Sequence, residues 1–313
     1  MIISGMSLVV HCESRSPLRN PMIALAFRLL VLLFIFLLST LSPVQASTSI
    51  NAIDKRAYGA DVGWIDFRGD TNNGAVIGEF VCSGFLYAAN VGWIHLGSNA
   101  PANGIQYQNK SATDYGVNHD GLGNLRGLAY GANIGWINFE SNGAPKVDLR
   151  TGRLTGAFYS ANCGWISLSN AFAFVQTDTI PGGKDSNANG LPDAWERIYF
   201  GGLGVDPNAD PDGDGMSNLE EYLAGTTPTN SSDALQITDL TISPEGTNAS
   251  ITWSSVLTRF YTIQESTNLN SSTWTDSIAG IVVPVQSTTT HAFTDSSSTN
   301  RFYRIQAFRP LAP

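Results

Sequence analysis

The sequence predicts a mainly β protein in three parts: a domain of four β-hairpin repeats, a short segment with two helices, and a C-terminal β-sandwich. Three observations predict it. A ten-residue pattern containing Gly-Trp-Ile recurs four times between residues 58 and 168. Two twelve-residue acidic runs follow, each leading into apolar residues at helical spacing. The last eighty residues alternate polar and apolar side chains in short runs.

The chain begins with a leader. Leu29 to Leu38 is apolar without interruption, Arg28 precedes it, and Ser42-Pro43 ends it. Val44-Gln45-Ala46 then offers small residues at the −3 and −1 positions of a signal-peptidase site, so residues 1–46 read as a signal peptide whose working start is Met22. The apolar run is too short to span a bilayer comfortably, so no membrane insertion is expected after cleavage and the protein is expected outside the cell or at its surface. Of 313 residues, 42% are hydrophobic and 14% charged, which excludes a disordered chain, a coiled coil and a collagen-like fibre. Losing three arginines and one glutamate with the leader takes the net charge from −9 to −11, which argues against a nucleic-acid partner. Cys82 and Cys163 remain. An oxidising compartment permits them to pair, and the sequence leaves that open.

Residues 47–177 hold the repeats. Tyr58-Gly-Ala-Asp-Val-Gly-Trp64-Ile-Asp-Phe67 aligns with segments Tyr87–Leu96, Tyr130–Phe139 and Tyr159–Leu168, and the tryptophans are spaced 29, 43 and 29 residues apart. Gly84, Gly127 and Gly156 each stand three residues before a repeat tyrosine. Every unit reads as strand, turn, strand, with Asn and Gly supplying the positive-φ positions of the turn. The extra length before the third copy, Ser98–Asn118, reads as a long loop or inserted hairpin. One hairpin cannot bury its own face, whereas four together can. Trp and Ile alternate, so they face opposite sides. We expect Trp64, Trp93, Trp136 and Trp165 in the core, because sameness across four units is what a shared fold demands. The competing reading is a platform of indoles for stacking on sugars, with Asp61, Asn90, Asn133 and Asn162 as polar neighbours.

Residues 178–233 carry 11 acids and 2 bases. Asp185, Asn187, Asn189, Asp193 and Glu196 fall at positions 1, 3, 5, 9 and 12 of a twelve-residue loop with Gly190 at position 6. Asp210, Asp212, Asp214, Asn218 and Glu221 repeat that spacing around Gly215. Alternate residues of such a loop turn oxygen inward, position 7 (Leu191, Met216) offers a carbonyl, and Glu at 12 closes the sphere, which is the chemistry of calcium. Zinc would want His or Cys. Trp195, Ile198 and Tyr199 are expected on one helix face, and Leu219, Tyr222 and Leu223 on the next. Asp193…Glu196 and Ser217…Glu220 are the expected capping pairs, and Gly225 with Pro228 stops the second helix. Residues 185–229 resemble the calcium repeats of thrombospondin type 3 and dockerin modules, and the acidic linker of secreted modular bacterial proteins. The resemblance implies calcium as a structural ion, not a signal.

Residues 234–313 offer about seven short strands, an antiparallel sandwich of the immunoglobulin or fibronectin type III kind. The run from Arg259-Phe-Tyr to Arg301-Phe-Tyr-Arg-Ile resembles the module that follows such linkers in secreted bacterial proteins. Catalytic motifs are scarce. His95, His119 and His291 read as strand or turn residues, and neither a nucleophile elbow nor a phosphate loop occurs. The expected function is therefore non-enzymatic: adhesion, or binding of a glycan or matrix ligand through the repeats. The alternative is a polysaccharide hydrolase using two carboxylates among Asp66, Glu79, Asp120 and Glu140.

Overall fold

Each Gly-Trp-Ile pattern forms an antiparallel hairpin. In the computed structural model the hairpins are β1 (Ile50–Gly59) with β2 (Gly63–Asp66), β3 (Cys82–Ala88) with β4 (Gly92–Ser98), β5 (Leu125–Gly131) with β6 (Gly135–Asn138), and β7 (Ala157–Ser160) with β8 (Gly164–Ser167). The structure describes residues 48–313 except 71, 244–247, 271–272, 278–279 and 295–300. The expected signal segment thus lies outside the described residues. Gly63, Gly92, Gly135 and Gly164 hold φ between +69° and +79°, the left-handed conformation that lets each turn close.

The pairing register is the same in every hairpin: Tyr58 faces Trp64, Tyr87 faces Trp93, Tyr130 faces Trp136 and Tyr159 faces Trp165. Between hairpins, Ile65 pairs with Ala88, Ile94 with Gly131, Ile137 with Ser160, and Ile166 closes the ring on Gly59. Eight strands thus form a closed antiparallel barrel in which chain order is ring order. Ile65, Ile94, Ile137 and Ile166 fill it, each wholly buried, and the turn residues Val62, Val91, Ile134 and Cys163 join that core. The shared glycines have a steric cause. A Cβ on Gly84 or Gly156 would lie 2.1 or 2.2 Å from the carbonyl oxygen of Gly74 or Ala144, so the preceding segment can cross only where no side chain stands.

The expectation of buried tryptophans is wrong. Trp64, Trp93, Trp136 and Trp165 are 44–51% exposed. Strand alternation puts Ile and Trp on opposite faces, and the inward face is filled by the four isoleucines together with Leu86 and Phe158. Cys82 and Cys163 are both buried, as core positions should be, and both are free thiols. Burial pushes the Cys82 thiol up to about 12. The stretch before the third hairpin is an irregular loop rather than a regular hairpin. Asn118 pins it by accepting from the Tyr107 N–H and donating to the Tyr107 carbonyl.

The acidic segment contains α1 (Asp193–Phe200) and α2 (Asn218–Ala224). The Ser217–Glu220 capping box is present and Gly225 ends α2 in the left-handed conformation. The Asp193–Glu196 cap is not formed: Pro192 holds the N-cap position and Asp193 turns back to Ser186. Leu191, Trp195 and Tyr222 form the segment's core, whereas Ile198 and Leu223 face solvent, because Glu196 and Glu221 take the inward positions. The last part comprises β9 (Ile237–Ile242), β10 (Asn248–Ser254), β11 (Phe260–Ser266), β12 (Thr275–Asp276), β13 (Thr288–Thr294) and β14 (Phe302–Phe308). They make two three-stranded antiparallel sheets, β9-β10-β13 and β12-β11-β14, whose side chains share a core around Trp253 and Tyr261. Among the described residues no helix is long and apolar enough to cross a membrane.

Candidate functional site

Two features carry chemistry: the barrel's aromatic exterior and the two acidic loops. On the exterior, each tyrosine packs against the tryptophan of its own hairpin, with ring centres 4.8–5.1 Å apart. Cross-strand aromatic pairs support hairpins, yet each of these rings still keeps more than a third of its surface in water. The turn amides are engaged elsewhere. Asn90, Asn133 and Asn162 each donate from Nδ2 to the carbonyl of the preceding hairpin's turn, Val62, Val91 and Ile134, at 3.1–3.2 Å. Asp61 holds the equivalent place beside Gly164, where the fourth hairpin meets the first. A carboxylate has no hydrogen to donate there.

In the second acidic loop, Asp210 accepts from the Gly213 and Gly215 N–H groups, which curls the backbone round it. Asp212 and Asp214 each use one oxygen on the backbone two residues on. Their other oxygens, with Asn218 Oδ1 and Glu221 Oε2, are buried and have no partner. Ligand oxygens of Asp210, Asp212 and Asp214 all lie within 4.8 Å of one another. Burial first, and then the Asp212, Asp214 and Asp210 charges, push Glu221 up to about 7. Such a cluster is unfavourable as it stands and is relieved by a cation. Met216 donates its N–H to Asp214, and its sulfur accepts from the Leu235 N–H at 3.3 Å.

The first loop is differently satisfied. Glu196 Oε1 accepts from the Gly204 and Val205 N–H groups at 2.9 and 2.8 Å, and the Asn187 and Asn189 amides point nitrogen at it. Glu196 Oε2 is buried without a partner. Asp185 accepts from Asn189 N and Gly190 N, which reproduces the curl of the second loop. Asp193 accepts from the Ser186 N–H and hydroxyl and stands aside. Leu191 is wholly buried and anchors the loop to α1.

Of the carboxylates considered for hydrolysis, Glu79 and Asp120 line one cavity. Asp66 lies 3.1 Å from Lys55 and Asp120 accepts from Leu122 N and Asn124 N, so each holds local structure; Glu140 is exposed. Glu79 is the centre of a buried knot that sequence reasoning missed as a structural element. It meets Arg259 at 3.3 Å and Arg309 at 3.5 Å and accepts from the Tyr222 hydroxyl at 2.9 Å. Arg259 also donates to the Tyr222 and Leu223 carbonyls, and Arg309 to the Ile180 carbonyl. The barrel, α2 and the C-terminal sheets are thereby tied together. A cavity of about 280 Å³ adjoins the knot, lined by Glu79, His119, Asp120, Trp195 and Tyr199 among others. His119 is buried there, donating to the Gly78 carbonyl and accepting from Gly123 N. Burial lowers its pKa and keeps the ring neutral. No protein-family model matches the sequence, and neither a curated protein nor a solved structure matches it.

Proposed function

We propose that this is an exported, non-enzymatic binding protein in which two calcium ions staple the middle segment and the barrel's aromatic exterior holds an extracellular glycan. The observation that carries the reading is the outward set of four Tyr–Trp pairs on a closed barrel. Scattered apolar side chains on a surface are ordinary, but a large ring repeated at one register position on every hairpin is a patch of the kind that marks binding. The face of an indole is apolar and matches the C–H face of a pyranose, while the Tyr hydroxyl meets its polar rim. A four-copy repeat presents that pair on every side of the barrel.

Calcium fits the donors. The second loop would hold it through Asp210, Asp212, Asp214, the Met216 carbonyl, Asn218 and Glu221. The first would use Asp185, Asn187, Asn189, the Leu191 carbonyl and Glu196, with Asp193 positioning the turn. All are oxygen donors, as a hard cation requires. The amide of Asn187 or Asn189 offers oxygen after a half-turn of its end group. A bound ion would neutralise the clustered charge and cross-link the loop to its helix, which is a contribution to folding. The likeness of residues 185–229 to thrombospondin type 3 and dockerin repeats supports the same role. The leader supports export, and the paired C-terminal sheets support an immunoglobulin- or fibronectin-like module that carries the barrel. Hydrolysis is the weaker reading, because Asp66 and Glu79 are bound to basic side chains.

The full chain tests both halves. With calcium it should bind glycans on an array; a blank array refutes the binding role. Chelation should lower its melting temperature, and Asp185→Ala with Asp210→Ala should remove most of the calcium-induced rise. A melting curve indifferent to chelator refutes the staple.

A further inference from the structure

The four aromatic pairs are not equivalent. Among the described residues, Tyr58–Trp64 and Tyr159–Trp165 have no further ring contact. The second and third hairpins differ because the long loop between them contributes Tyr115. Its ring lies 5.0 Å from that of Trp136 and 5.6 Å from that of His95, and its hydroxyl is 2.8 Å from His95 Nδ1. His95 in turn lies 4.7 Å from Phe85, which reaches Trp93 at 6.4 Å. With the Tyr–Trp pair of each hairpin, the rings make one unbroken surface across β3 to β6. The extra residues that lengthen the spacing to 43 are what join two pairs into one platform.

We infer that this platform is the glycan subsite of the barrel and that its occupant is an uncharged, unbranched polysaccharide lying across the second and third hairpins. The inference rests on the glycan reading above and adds where on the barrel the chain binds and of what class it is. Extent argues for a chain over a single sugar. Trp93 and Trp136 stand two strands apart, on the order of 10 Å, a separation that one sugar cannot span and an extended chain can. Charge argues for a neutral one. The strand position held by Asp66 in the first hairpin, beside Lys55 and Arg56, is held by His95 and Asn138 here. Burial lowers the His95 pKa, so that ring is uncharged at neutral pH. This aromatic face presents no cation to pair with an anionic polymer, and residues 47–177 around it are close to neutral, with 9 acids against 8 bases.

Calorimetric titration of the calcium-loaded full chain with cellohexaose, mannohexaose, xylohexaose and a hyaluronan hexasaccharide tests it. A neutral hexasaccharide should bind, and Tyr115→Ala and Trp136→Ala should each weaken it by about tenfold or more, as truncating a stacked anchor does. Trp64→Ala and Trp165→Ala should each weaken it several-fold less than those two substitutions do. Tyr115 lies outside the hairpins, so Tyr115→Ala should keep the parent melting temperature, and Trp136→Phe should restore part of the affinity. Binding that survives Tyr115→Ala and Trp136→Ala but falls with Trp64→Ala or Trp165→Ala overturns the location while leaving the glycan reading intact. Preference for hyaluronan overturns the neutral-chain assignment. Failure of every hexasaccharide defeats the glycan reading itself and this inference with it.

Discussion

Asp61 is the one position where the ring of turn-to-turn hydrogen bonds is interrupted. Three asparagine amides reach a neighbouring carbonyl, and at the fourth junction an acceptor meets an acceptor. Replacing a single oxygen by nitrogen should complete the set. Asp61→Asn is expected to raise stability by about 0.5–1.5 kcal/mol, the usual net value of one hydrogen bond. The urea midpoint at neutral pH reads this directly, and an unchanged or lower midpoint would contradict it. The exposure of the tryptophans is a residue-level fact of another kind. Alternation in Gly-Trp-Ile told that one of the two large side chains faces out. Which one is fixed by closure of the barrel, and closure depends on pairings between residues far apart in the chain, such as Tyr58 with Ser167.

The two acidic loops differ as elements although they share one spacing. Four carboxylates converge in the second, from Asp210, Asp212, Asp214 and Glu221, while asparagines replace two of them in the first. Affinity in loops of this type follows ligand charge. The second loop should therefore fill first: calcium titration should resolve two phases, and Asp212→Asn with Asp214→Asn should weaken the tighter one by about tenfold or more. Loss of the weaker phase alone would reverse the order. The turns of these loops were legible in the sequence because Asp185 and Asp210 each accept from backbone N–H groups within the same loop, which makes each turn a local object. So was the α2 cap, since Ser217 and Glu220 are neighbours on one turn. The α1 cap was misread because Asp193 has a competing partner in Ser186, seven residues back. Ile198 and Leu223 were placed inward for a related reason. Helical spacing marks a face but does not tell that buried carboxylates will claim it.

At the scale of the molecule, Glu79 decides whether three parts behave as one. It belongs to the barrel's edge, Tyr222 to α2, and Arg259 and Arg309 to the C-terminal sheets, and residues 46–313 form one compact unit around them. Nothing in the sequence marks this knot, because its members are isolated residues: Glu79 stands 143 positions before Tyr222, and Arg259 and Arg309 follow Tyr222 by 37 and 87. Glu79→Ala would leave two buried guanidinium groups without their shared carboxylate, at a cost of about 3–5 kcal/mol. Differential scanning calorimetry should then resolve separate transitions for the variant and one for the parent protein; a single transition at the parent temperature in the variant would show that the parts are held otherwise. Closure of the barrel has a kinetic consequence as well. Ser167 joins Tyr58 from 109 residues away, so the ring's last contact carries the entropy of a long loop and places the barrel among slowly folding topologies. Until β8 arrives, β1 and β7 each offer an open edge to any other chain nearby, and the protein's exposure to aggregation is set by how long that interval lasts.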